Sequence, residues 1–176
     1  NHKLAAGAQG YTFANAAEIM QTYDGWTEAD QTTFKTWIVK VFASKNKDFL
    51  DNHQGSSNCA LHYWSNWDLV NMCSYLSIGI LTEDDDMVNY VVNYFYNGAG
   101  NGALNNLIQG THIDPLSNEE ICQNQESGRD QGHAQMSAAV TANLCQIAYT
   151  FYQDNKDVSR LDFFAANNNA IMKMGE

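Results

Sequence analysis

Apolar residues recur along this chain at helical spacing, and runs that alternate with a period of two are short. From Thr12 to Tyr23, Phe13, Ala16, Ala17 and Met20 fall on one stripe. Thr27 and Asp30 have capping-box spacing and predict a helix start, with Phe34, Trp37, Ile38, Val41 and Phe42 facing inward. Leu69, Cys73, Leu76 and Ile80 carry the period through a helix over 66–81. A further helix over 84–97 opens on acids, which the helix dipole favours in a first turn. Gly98, Gly100 and Gly102 punctuate a turn into a short helix over 103–108, and the polar stretch over 109–127, with Pro115, reads as a loop. A long helix over 131–152 follows, and the last begins near Leu161.

Helices joined by loops in up-down order make the chain all-α, arranged either as a bundle or as a toroid of helical hairpins. Most of these helices are apolar on more than one stripe, as elements packed between two concentric layers must be. The last helix runs to Glu176 with neither cap nor stop signal. The expectation is one α-helical domain over 1–176 in which the ring of hairpins is incomplete.

Composition narrows the function. A chain of 176 residues can bury one sizeable core, and 44% hydrophobic residues with a single proline exclude a disordered tail. Charged residues are only 16%, whereas Asn and Gln abound; a surface coated with amides points to a secreted protein. No stretch approaches the ~20 apolar residues of a membrane span, so no membrane partner is expected. The net charge of -11 argues against nucleic acid, which needs clustered bases. No Lys or Arg occurs between Lys47 and Arg129, so a polyanion site in that span must rely on His, amide and aromatic groups with Arg129 as its fixed cation.

Cys59, Cys73, Cys122 and Cys145 lack the spacing of a zinc ribbon or a redox pair. Cys73 and Cys145 sit in apolar helical patterns and read as buried thiols; Cys59 and Cys122 lie in loops and could pair in an oxidising compartment. There is no HExxH, no Gly-rich phosphate loop and no Ser nucleophile elbow, so neither a metal nor another cofactor is expected.

Two segments carry chemistry. In the first, Leu61-His62-Tyr63-Trp64-Ser65-Asn66-Trp67-Asp68, aromatic faces can stack on sugar rings and an Asn amide can donate to a carboxylate. The plainer reading is a helix start capped by Ser65 or Asn66, with the two Trp packing. The second runs from Gln125 through Glu126, Arg129, Asp130 and Gln131 to His133. Arg129 and His133 are four apart and share a face on a helix start, with Glu126 one turn earlier. Gly128 and Gly132 allow close backbone approach or a sharp turn. The plainer reading is a surface salt bridge between Glu126 or Asp130 and Arg129, beside a satisfied His133.

Together the His-Tyr-Trp-x-Asn-Trp-Asp and Glu-Ser-Gly-Arg-Asp-Gln-Gly-His segments resemble the alginate-lyase-like polysaccharide lyases, closest to polysaccharide lyase family 38. The likeness extends to Phe13-Ala14-Asn15-Ala16-Ala17-Glu18, the Gly25-Trp26 turn, Asn93 to Gly102, and a closing helix at Asn167-Asn168-Asn169. It implies an (α/α) toroid with a central cleft and β-elimination of a uronic-acid polymer of glucuronan or alginate type. Asn66 and Arg129 would neutralise the substrate carboxylate, and His133 or His62 would act as base or join the neutralising set. Glu126 would bind the carboxylate if protonated or orient His133 if ionised. Tyr63, Trp64, Trp67, Gln125 and Gln131 would line the subsites.

Such lyases commonly place a proton-donating Tyr after the Glu-to-His motif. Downstream of His133 the chain offers Tyr149 and Tyr152, two or more helical turns away. The expectation is that the donor falls beyond Glu176 and that this chain, the first half of a toroid, partners with the remainder as another chain or segment. The rivals are a non-catalytic carbohydrate-binding toroid fragment, a glycosidase using Glu126 with Asp68 or Asp130, and a helical interaction domain.

Overall fold

A computed structural model describes residues 2–53, 57–155 and 159–174, apart from the side chains of 57–59, 155 and 159. Its elements are α1 (His2–Met20), α2 (Glu28–Ile38), α3 (Ser44–Asn52), α4 (Ser65–Thr82), α5 (Asp85–Asn97), the single turn α6 (Leu104–Leu107), strands β1 (Ile108–Ile113) and β2 (Glu120–Asn124), α7 (Gln131–Asn155) and α8 (Ala166–Met174). Among the described residues the protein is all-α with one small antiparallel hairpin.

Helix α4 is the axis of the packing. Its side chains are buried almost all round from Ser65 to Leu81, because α1, α3, α5 and α7 each lie against a different face. Leu69, Met72, Cys73, Leu76 and Ile78 are wholly buried, and the core built on them continues through Phe49, Phe95, Leu144 and Phe163. Two devices hold polar atoms inside it. The Asn46 amide of α3 lies 2.8 Å from Asn71 and 2.7 Å from the Ser74 hydroxyl, and Asn71 Nδ2 donates to the Trp67 carbonyl at 2.8 Å.

Helix α1 begins ten residues before the predicted stripe, at His2 rather than Thr12. Its buried face is Ala6, Gly7, Gly10, Ala14 and Ala17. These small residues carry little hydrophobic signal, yet they let α1 approach α4 closely. A Cβ at Gly7 would stand 2.6 Å from Val70 Cγ2, and one at Gly10 would overlap the Ser74 hydroxyl. Gly7→Val should therefore destabilise by about 1–3 kcal/mol through forced separation of the two helices. An unchanged urea midpoint would show that α1 does not need this close approach.

The predicted capping box exists: Thr27 Oγ1 accepts the Asp30 N–H at 3.2 Å and donates to Asp30 Oδ2 at 2.7 Å. The inward set assigned to α2 is only partly inward. Ile38 is buried, but Trp37 is exposed and joins Phe13, Phe34 and Phe42 in a surface aromatic ladder with ring centroids 5.4–6.2 Å apart. A wide helical turn over Val39–Ala43 connects α2 to α3 without a break.

Two further expectations need correction. The stretch over 109–127 is not all loop: Gly110 pairs with Gln123, Thr111 with Cys122 and Ile113 with Glu120. The pairing escaped the sequence because the strands are short, irregular between Ile108 and Gly110, and exposed along most of β1. Asn167, Asn168 and Asn169 do not form a right-handed helix. All three have positive φ, between 47° and 61°, so the chain makes a left-handed turn before the segment ending at Met174. Asn tolerates this region better than other non-Gly residues.

Cys73, Cys122 and Cys145 are buried free thiols. The pairing considered for Cys122 falls on the Cys59 side chain, which lies outside the described residues. No described helix is long and apolar enough to cross a membrane.

Candidate active site

Trp64 enters α4 in an extended conformation and offers its first turn no side-chain cap. The free N–H groups of a helix start must find acceptors, and here they find them sixty residues away, on the segment after β2. Gln125 Oε1 accepts the Ser65 N–H at 3.0 Å, and Glu126 Oε1 accepts the Asn66 N–H at 2.8 Å. A carboxylate in this position also meets the positive end of the helix dipole.

Glu126 is wholly buried, and the hydrogen bonds of its carboxylate are all with donors. Besides the Asn66 N–H, it accepts the Ser65 hydroxyl at 3.0 Å, Asn66 Nδ2 at 2.8 and 2.9 Å, and Arg129 Nη1 at 3.1 Å. Ser65 Oγ also lies 2.9 Å from the Ser137 hydroxyl of α7, which ties the two helices together. A tight turn makes this possible. Asn124 Oδ1 accepts the Glu126 N–H at 2.9 Å and the Glu126 carbonyl accepts the Arg129 N–H at 2.9 Å, so Glu126 points inward and Arg129 outward.

Helix α7 starts on Asp130. Its Oδ1 accepts the His133 N–H at 2.9 Å, and its Oδ2 lies 2.6 Å from His133 Nδ1 and 3.9 Å from Arg129 Nε. The His133 backbone N–H first, and then its ring, hold the Asp130 carboxyl below the usual carboxylate range. The Arg129 guanidinium sits 4.9 Å above the Trp64 ring centroid, a cation–π contact. Glu126, Arg129, Asp130 and His133 thus form a row of alternating charge type that starts buried and ends in solvent. Arg129 and His133 side chains are 28% and 37% exposed.

The two segments therefore meet, through Asn66, Glu126 and Arg129. His133 joins through Asp130 and lies one helical turn, about 5.4 Å, before Ser137. Asn66 is nearly fully buried and its amide donates to Glu126. Glu126 contacts Asn66 and Arg129, not His133; Asp130 is the partner of the imidazole. Gln125 is engaged as the second cap of α4, while Gln131 is exposed at the start of α7. Gly128 is not a point of close approach, since a Cβ there would meet nothing within 4 Å. It leaves open space beside Arg129.

Of the aromatic residues, Trp64 and His62 are exposed. Tyr63 and Trp67 are half-buried and pack on Phe49, with centroids 5.2 and 5.5 Å away. Tyr149 stands sixteen residues, roughly 24 Å of helix, from His133, and its ring neighbours Tyr152 and Phe164.

Behind the Tyr63 cluster lies a buried polar group that the sequence did not disclose. Asp68 Oδ1 accepts the Tyr94 hydroxyl at 2.8 Å and lies 2.9 Å from His53 Nε2, and Oδ2 accepts the Gly102 N–H at 3.1 Å. Gly100 and Gly102 are required here, because a Cβ at either would stand 2.5 Å from Asp68. Burial, then the Asp68 charge, pushes the Tyr94 hydroxyl well above its ordinary value. The neutral phenol is favoured in the folded state, so folding stability is complete below the unfolded tyrosine pKa of about 10 and falls as pH rises above it. Melting temperatures between pH 9 and about 11 should fall more steeply for the wild type than for Tyr94→Phe. Parallel curves would remove Tyr94 from that role.

A family model described as alginate lyase matches residues 4–173. No curated protein and no solved structure shows significant similarity to the chain.

Proposed function

The chain belongs to the alginate lyase family, and from that membership we propose that it cleaves a uronic-acid polymer of alginate or glucuronan type by β-elimination at the rim formed by Arg129 and His133. The family makes it a polysaccharide lyase; the polymer and the residues are our reading. The observation that carries it is the exposed guanidinium–imidazole pair, set in a row by Glu126 and Asp130, beside an exposed Trp64.

The C5 proton of a uronate is weakly acidic until its C6 carboxylate is neutralised. Arg129 is placed to do this, and charge that builds on the carboxylate during abstraction strengthens the contact. His133 removes the C5 proton. The C–H electrons form the C4=C5 double bond, the C4–O4 electrons leave with O4, and the imidazolium can return the proton to O4, which closes the balance. Trp64 and His62 offer faces and edges for neighbouring sugars, with Gln131 as a polar contact. Glu126, Asn66 and Gln125 hold the frame.

The same reading takes the chain as one domain over 1–176, with the (α/α) toroid architecture of the family-38 type, in a secreted protein. The test is incubation with alginate and with glucuronan, following the ultraviolet absorbance of the unsaturated uronate end and the release of reducing ends. Both signals rising together is the expected result. Reducing ends without absorbance mean a glycosidase, and binding without either means a carbohydrate-binding protein.

A further inference from the structure

The Glu126-to-His133 row contains a carboxylate to which the elimination chemistry assigns no task. Asp130 makes two contacts of different kind with one residue. Its Oδ1 accepts the His133 backbone N–H at 2.9 Å, and its Oδ2 lies 2.6 Å from Nδ1 of the same side chain. The first contact caps α7. The second is not needed for a cap, and it uses the carboxylate oxygen left over by it.

A carboxylate that meets a ring nitrogen accepts a hydrogen bond, so the proton of a neutral His133 resides on Nδ1 and the lone pair on Nε2. Because the backbone contact fixes Asp130 to the start of the helix, the ring is held at two points, its own backbone and its Nδ1. Nε2 then lies on the side of the ring away from Asp130. Charged groups on the neighbouring elements are consistent with this. Arg129 Nε stands 3.9 Å from Asp130 Oδ2, and Glu126 draws the guanidinium back at 3.1 Å, while Ser65 and Ser137 are the polar groups one turn below. Arg129 balances Asp130 without replacing His133 as its partner.

We propose that Asp130 is a positioning residue that selects the Nε2-basic tautomer of His133 and aims it at the uronate C5 proton. This rests on the lyase reading for its consequence, but the tautomer itself can be read without substrate. Asp130→Asn is the informative variant, because Asn caps a helix as well as Asp does. With its oxygen on the His133 N–H, the new amide presents an N–H to Nδ1 and drives the ring proton to Nε2, where the base must be free.

The experiment compares wild type with Asp130→Asn and Asp130→Ser, by thermal melting, by the side-chain 15N shifts of His133 in NMR, and by kcat and KM on the uronan that is cleaved. The expected result is wild-type melting for Asn within a few degrees, a ring proton moved from Nδ1 to Nε2, and kcat lowered by about 100- to 10,000-fold with KM little changed. Asp130→Ser, which caps but has no reach to the ring, should lose less than Asn. A wild-type His133 protonated on Nε2 overturns the proposal whatever the activity, and so does an Asp130→Asn protein with wild-type turnover. If the tautomer is as stated but no uronan yields unsaturated ends, the lyase reading fails and the positioning of His133 stands.

Discussion

Glu126→Ala should lower the stability of this protein by roughly 3–5 kcal/mol, the range found when one member of a buried charged network is removed. The carboxylate is wholly buried and serves the Ser65 hydroxyl, the Asn66 N–H, the Asn66 amide and the Arg129 guanidinium at once. Alanine leaves the Ser65 hydroxyl and the Asn66 N–H at the buried start of α4 without this acceptor. Glu126→Gln should cost less, since the amide oxygen can still accept from α4 while its N–H group opposes Arg129 and Asn66. Urea unfolding with linear extrapolation measures both. A loss below about 1 kcal/mol for Ala would mean that Gln125 alone can hold the start of α4.

Arg129→Ala should act in the opposite way, on rate and not on folding. The guanidinium is partly exposed, and without it Glu126 keeps all its contacts with Ser65 and Asn66. Its loss should therefore cost about 1 kcal/mol of stability or less. As the fixed cation beside the base, it is expected to contribute 100-fold or more to kcat by stabilising charge that develops on the substrate carboxylate. Arg129→Lys should recover part of that, because a lysine keeps the charge but neither the planar fork nor its stacking on Trp64. Turnover of unsaturated ends, read beside the melting temperature, separates the two effects. A wild-type rate in a folded Arg129→Ala protein would reduce the residue to a surface ion pair.

Several elements could be read from local pattern because local energetics decide them. The helix over 66–81 appears as Ser65–Thr82, and the start near Gln131 coincides with α7. A 3.6-residue apolar period sustained over several turns marks both helices, and α7 adds a local cap from Asp130. The first half of α1 was hidden for the opposite reason. Gly7 and Gly10 each cost an isolated helix about 1 kcal/mol and its alanines carry little apolar signal, and the face gains its stability from close packing against Val70 and Ser74 of α4. The hairpin was hidden because each strand is stabilised by its partner and neither alternates strongly by itself.

The candidate site divides in the same way. Sequence alone selected the two segments, since a cluster of His, Asn, Glu and Arg among aromatic residues has little reason to exist in a helical core. It also established the all-α class, the cap at Thr27 and the family likeness. Which of those residues face solvent was decided by tertiary structure. Asn66 looked like a donor to substrate, yet the start of α4 is covered by the Glu126 turn, and the amide is turned inward to satisfy it. Asp130 does lie within 3.9 Å of Arg129, but the start of α7 brings its carboxylate closer still to His133, at 2.6 Å. The division is physical: a residue's type limits which hydrogen bonds it can make, but which of them it makes depends on the neighbours that burial supplies, and for Asn66 those neighbours lie sixty positions away in the chain.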